Sequence, residues 1–300
     1  MAALTLVALA SAGCAGTGEG GDASAAGRTP TADEVRLVVS RDFGAEVLRD
    51  LVVPASDGLD VLRLLAENAE VDTGYGGRFV DGIDGLESSF DAVSTEDAAD
   101  WFYWVDGVIA DVGAADWKLR GGETVWWDYH RWADAMVVPA ALHAFPRPYS
   151  QRPLAVTTAA DVAGLADWAA ASGLELEPRR DLEGLPPDGG LVLATAGEAA
   201  ATPWLAEMLD AARSGLRLVS VDDGALAVLS PAGEIGPAAA AVAQPVTNPD
   251  DPERPFLLVL GASRADLEAF VPRLTPEALN AAVGVALVDG DLIHLPWQSR

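Results

Sequence analysis

The stretch Trp101–Trp132, WFYWVDGVIADVGAADWKLRGGETVWWDYHRW, constrains the fold more than any other part of the chain. It holds six of the nine tryptophans, together with Tyr103, Tyr129 and His130. Trp101–Val105, Asp106-Gly107 and Val108–Ala110 predict a β-hairpin, because an Asp-Gly pair suits the type I′ turn whose twist matches that of paired strands. Gly121-Gly122 predict a second turn and Thr124–His130 the strand after it. On that strand, alternation places Val125, Trp127 and Tyr129 on one face and Trp126, Asp128 and His130 on the other. In the hairpin, Phe102 and Trp104 oppose Trp101, Tyr103 and Val105, and the sequence leaves open which set joins Trp126. Full burial of one tryptophan stabilises by roughly 4–6 kcal/mol. An exposed cluster of them is therefore costly, and the face calls for a cover: a second domain, a partner or a ligand.

The chain before this stretch predicts a hairpin and one helix. Glu34–Ser40 and Val47–Val53 alternate as strands, and Pro54 stops the second. A helix is predicted from about 58 to 68, N-capped by Ser56 or Asp57, with Val61, Leu62, Leu65, Ala66 and Ala69 on one stripe. The segment TGYGGRFVDGIDGLESS has five glycines and reads as short extended pieces broken by turns. Its acids Asp81, Asp84 and Glu87 lack the spacing of the known calcium loop and read as turn residues.

WFYWVDG followed by LRGGETVWWDY, after a hairpin and a single helix, resembles the transcobalamin-like C-terminal domain family over roughly residues 33–133. The resemblance implies a β-grasp-like sheet with one helix packed across it, and places Val125, Trp127 and Tyr129 on the structural face. It also implies a ligand such as cobalamin or a related compound, bound in support of an uptake transporter. The candidate ligand-binding residues are then Trp104, Trp126, Asp128 and His130, with Tyr75 from the glycine-rich segment. His130 with Asp128 invites two readings, an axial ligand to a corrinoid cobalt or a plain surface pair. One histidine and one carboxylate are too few for a zinc site. Neither GxSxG nor HExxH occurs, so no catalytic residue is assigned and the chain is expected not to be an enzyme.

From about residue 151 to 300 the pattern changes, after a proline-rich connection carrying Pro139, Pro146, Pro148 and Pro153. Strands are predicted at 154–157, 191–195, 216–221, 225–229 and 256–260. Helices are predicted at 160–172, from Thr202-Pro203 to about 214, over 266–271 and on through 278–282. A last hairpin turns at Asp289-Gly290. The whole is expected to be α+β: a β-grasp-like domain at 33–145, with a mixed sheet and one packed helix, followed by a small α/β sandwich domain at 151–300. LVLGAS before a helix lacks the GxGxxG spacing and a P-loop lysine, so it reads as a strand-to-helix turn.

The first 14 residues, MAALTLVALASAGC, join an apolar run too short to span a bilayer to small residues and Cys14, the only cysteine. This resembles a bacterial lipoprotein signal, although Ser11 stands where an aliphatic residue is usual and no basic residue precedes Arg28. Residues 15–32 read as a flexible tether. The expectation is an extracytoplasmic protein held to the outer face of the cell membrane by lipid alone. With one cysteine, no internal disulfide can form. The formal charge of −27 argues against nucleic acid and against attraction to anionic lipid. Two functions follow as expectations: a lipid-anchored binding protein for a corrinoid or for transporter components, or a surface scaffold whose aromatic face docks a partner or its own second domain.

Overall fold

The computed structural model describes residues 27–89, 97–179, 182, 184, 189–209 and 215–298. Cys14, most of the tether and the end of the helix expected to reach 214 lie outside these residues.

The first half begins with the expected hairpin, β1 (Glu34–Arg41) and β2 (Glu46–Pro54), and the single helix α1 (Val61–Ala66). Gly58 takes a left-handed φ of 71°, so the helix starts later than predicted. Asp60, not Ser56 or Asp57, caps it by accepting a hydrogen bond from the Arg63 amide at 2.8 Å. The glycine-rich segment forms a separate three-stranded sheet of β3 (Val71–Gly74), β4 (Phe79–Ile83) and β5 (Leu86–Glu87). The aromatic stretch supplies β6 (Ala99–Val105), β7 (Val108–Ile109) and β8 (Thr124–Arg131). They join the first hairpin in the order β2-β1-β8-β6-β7, with β1 and β8 parallel and the other pairs antiparallel. Alternation then sorts the faces. Val35, Leu37, Val39, Tyr103, Val105, Val125 and Trp127 pack with Val61, Leu64 and Leu65 of α1.

The second half carries a seven-stranded sheet with helices on both faces. Its elements are β9 (Leu154–Thr158), α2 (Leu165–Ala171), β10 (Leu176–Arg179), β11 (Gly190–Thr195), α3 (Ala196–Ala201) and α4 (Pro203–Met208). A small sheet of β12 (Val219–Asp222), β13 (Ala225–Leu229) and β14 (Ile235–Ala239) follows. Then come β15 (Ala241–Val246), β16 (Phe256–Gly261), α5 (Arg264–Phe270), β17 (Gly284–Val288) and β18 (Asp291–Leu295). The large sheet runs β10-β9-β11-β16-β15-β17-β18, parallel through β16 and antiparallel beyond. Trp168 of α2 and Leu267 and Phe270 of α5 pack on one face, and Leu205 and Met208 of α4 on the other. The molecule is α+β, built from mixed sheets with few and short helices.

Three features depart from the sequence reading. The helix expected at 160–172 begins only at Leu165, because Gly164 at φ 78° interrupts it. The 278–282 segment is a run of turns rather than a helix, and Ala281 sits at φ 50°. β10, β14 and β15 were not foreseen. Pro245 lies inside β15, yet it pairs only with β16, because the β15–β17 ladder covers Ala241–Ala243. Its missing N–H thus falls beyond the β17 ladder.

The two halves share one apolar core. Val38, Phe43, Trp104 and Trp126 of the first half cluster with Val138 and Ala141 of the connection and with Val192, Leu258 and Ala281 of the second half. A buried polar bolt reinforces this seam. The Arg36 guanidinium donates to Asp50 at 2.8 and 2.6 Å and to Asn280 Oδ1 at 2.5 Å, and Asn280 Nδ2 donates to Asp50 at 3.0 Å. Gly44 meets the Ala281 carbonyl so closely that a Cβ on it would lie 1.7 Å from that oxygen.

Candidate functional site

The face predicted to hold a ligand begins with strand register. Trp104 on β6 stands opposite Trp126 on β8, and Phe102 opposite Asp128. Phe102 and Trp104 therefore join the Trp126 side, which the sequence left open. The two indoles lie 4.8 Å apart, tilted by 31°. Both are completely buried, with Trp104 Nε1 donating to the Val138 carbonyl and Trp126 Nε1 to Ser40 Oγ, each at 2.7 Å.

One layer further along β8 lies Asp128, with 0 % exposure. Its carboxylate accepts from Ser40 Oγ at 2.6 Å, from the Phe43 amide at 2.9 Å and from the Gly44 amide at 3.0 Å. His130 Nδ1 lies 3.0 Å away on the same carboxylate. A carboxylate only accepts, so this contact places the imidazole proton on Nδ1. The β1–β2 turn supplies both amides by an unusual path: Asp42, Phe43 and Gly44 have φ of 55°, 61° and 83°. Consecutive left-handed residues turn successive N–H groups inward as an anion cradle, which here holds the chain's own Asp128. Phe43 and Phe102 stack on His130, each with ring centroids 4.4 Å from it, and His130 Nε2 is buried with no hydrogen-bond partner.

Ser40, Asp128 and His130 are the residue types of a hydrolytic triad in a different order. Asp128 stands between the other two, so the hydroxyl is bonded to the carboxylate and not to the imidazole. Proton removal from serine needs the imidazole at the hydroxyl. This geometry instead locks the β1–β2 turn against β8. Among the described residues, no three His, Cys, Asp or Glu side chains converge to hold a metal ion.

Of the five expected ligand residues, the structure brings four together: Trp104, Trp126, Asp128 and His130, all at most 1 % exposed. Of the three covers the sequence left open for this face, the chain supplies its own, and no room is left there for a ligand. The physical reason is a supply of apolar cover from the same chain, since Val138, Ala141 and second-half residues fill the space over the indoles. The alternative of His130–Asp128 as a surface pair fails for the same reason. Tyr75 stands apart on the β3–β4 turn, 80 % exposed, with Phe79 edge-on at 6.2 Å.

Sequence reasoning missed two groups. His143 of the connection is fully buried and packs 4.8 Å from Trp126. Burial, helped by the Arg36 charge, pulls its pKa down to about 3, against a smaller pull upward from the Thr124 backbone. Asp106, assigned only to a turn, accepts from the Thr124 amide at 2.9 Å and pairs with Arg147 at 2.6 Å. Burial raises its pKa despite that partner. As the first residue of an Asp-Gly turn, Asp106 offered no pattern that marked it for burial or for a partner 41 positions later.

Comparison with known proteins covers part of this architecture. Residues 58–131, from just before α1 to the end of β8, match the model of a family described as Domain of unknown function (DUF4430). No curated protein matches the chain. Among solved structures, the chain is similar to a presumed metal binding protein from Ruminococcus gnavus ATCC 29149, solved at 1.30 Å. The two are 14 % identical, the match covers 33 % of this chain and 97 % of that one, and the TM-score is 0.25.

Proposed function

We propose that this chain is a non-catalytic binding and scaffold protein of the cell envelope, held by lipid at Cys14. Its transcobalamin-like first half uses the aromatic face to dock its own second half. One observation carries the reading: Trp104 and Trp126 are fully buried, and both indole N–H groups are satisfied inside the chain. Polar groups placed to receive a ligand are normally left for the ligand or for water. Here they are spent on Val138 and Ser40. A corrinoid held by Trp104, Trp126, Asp128 and His130 would have to displace the connecting segment and leave several buried donors without partners.

The lipid anchor rests on the lone cysteine after an apolar run and small residues. A Cys14→Ala variant expressed in a lipoprotein-processing bacterium is expected to leave the membrane fraction, and its retention there would refute the anchor. Calorimetry with cobalamin and with cobinamide tests the docking reading. No saturable heat is expected from either. Stoichiometric binding abolished by Trp126→Leu would restore the corrinoid reading.

A further inference from the structure

The seam between the two halves is closed at its centre but opens at one edge. There a cleft of about 480 Å³ runs between the β1–β2 turn and the β17–β18 hairpin. A second hollow of about 280 Å³ adjoins it, and both are bordered by Asp42, Phe43 and Gln298. Gln298 Nε2 reaches the Asp42 carbonyl at 3.5 Å between them. Clefts of this size between structural units are where small ligands most often sit.

The wall of the larger cleft is apolar and aromatic. Trp297, Ile293 and Pro237 line it beside Phe43. The Trp297 ring is braced by Gly236, where a Cβ would lie 2.6 Å from the indole, so the aromatic wall is held in place. The rim is anionic. Asp42 enters from the first half and Asp289 from the second. Among the described residues, no lysine or arginine lines this cleft; its one base is His294, whose pKa burial lowers, which favours the neutral imidazole. Arg41 stands nearby, 3.9 Å from the Asp42 carboxylate, but its guanidinium is committed to Glu46 at 2.8 Å. Burial, and after it the neighbouring Asp128, raises the Asp42 pKa against opposing pulls from Arg41 and Arg131, the latter on the rim of the adjoining hollow.

We propose that this cleft binds a small organic cation, an alkylammonium group about the size of choline, between the Trp297 wall and the Asp42 and Asp289 carboxylates. Aromatic rings attract such cations through their quadrupole, and the two carboxylates add the charge complement. The inference rests on the reading of the chain as a binding protein but not on the closure of the aromatic face. The two fail separately, because corrinoid titration probes the buried indoles and the experiment below probes the seam.

Calorimetry on the full chain would compare choline with 3,3-dimethyl-1-butanol, its uncharged isostere. Choline is expected to bind saturably, with the alcohol about tenfold weaker or worse. Asp42→Asn and Asp289→Asn are each expected to weaken choline severalfold. Both positions are left-handed, at φ of 55° and 51°, and asparagine tolerates that conformation, so these variants keep the fold. Unchanged circular dichroism would check this. Equal binding of the isostere, full affinity in the Asp42→Asn/Asp289→Asn double variant, or no saturable heat with choline in the millimolar range would each overturn the proposal.

Discussion

Asp128→Asn is the most informative single change, because it keeps the shape of the side chain and alters only its hydrogen bonding. The native carboxylate takes four contacts: Ser40 Oγ and the Gly44 amide on one oxygen, the Phe43 amide and His130 on the other. Asparagine has one oxygen and one NH2. If the NH2 faces Ser40, that hydroxyl can turn to accept, but the Gly44 amide meets a donor. If it faces His130, the imidazole can change tautomer and accept, but the Phe43 amide meets a donor. Either way one buried main-chain N–H is orphaned and charge assistance is lost at the remaining bonds. An orphaned buried donor costs about 1–3 kcal/mol, and weakening the charge-assisted bonds adds about 1 more, so the expected loss is about 2–4 kcal/mol. Urea unfolding followed by circular dichroism measures it. A change below about 0.5 kcal/mol would refute the cradle as a structural lock.

Further outcomes follow from the seam. Trp126→Ala should cost about 3–5 kcal/mol, with both halves melting in one transition because they share a core; two separated transitions in the wild type would contradict this. Asp50→Ala leaves the buried Arg36 charge with only the neutral Asn280 as partner and should cost about 3 kcal/mol or more, as urea unfolding of the variant would show. His143 titrates near 6.5 unfolded and at about 3 folded. The unfolded chain therefore binds the proton first on acidification: stability is full above about pH 6.5 and falls as pH drops toward 3. Between pH 6.5 and 5 this amounts to about 2 kcal/mol. His143→Leu should remove that part of the acid sensitivity, and an unaltered pH profile would refute it.

Much of the first half could be read from the chain because its signals are local. Asp106-Gly107 fixed a hairpin, and strict alternation in Thr124–His130 separated Val125 and Trp127 from Trp126, as the two cores now show. What covered Trp126 could not be read. Its cover comes from Val138, Ala141 and Ala281, and nothing local in those residues announces a contact with a strand over a hundred residues away from Ala281. The same applies to Asn280, whose partners Arg36 and Asp50 lie more than 200 positions earlier. His130 and Asp128 looked like ligand groups because buried polar residues and binding residues share one sequence pattern. Their partners are main-chain amides of a left-handed turn, and Phe43 at φ 61° has no residue-type signature that would predict it.

The aromatic face is sealed by the connecting segment and the protein's own second half. Hydrogen exchange at the Trp104 and Trp126 indole N–H groups, followed by NMR, tests it most directly. Both are fully buried and bonded to Val138 and Ser40. Both indoles should be protected as strongly as the slowest β6 and β8 amides and exchange only through global unfolding. Exchange of either at the rate of an open surface indole, under conditions where the strands stay protected, would contradict it.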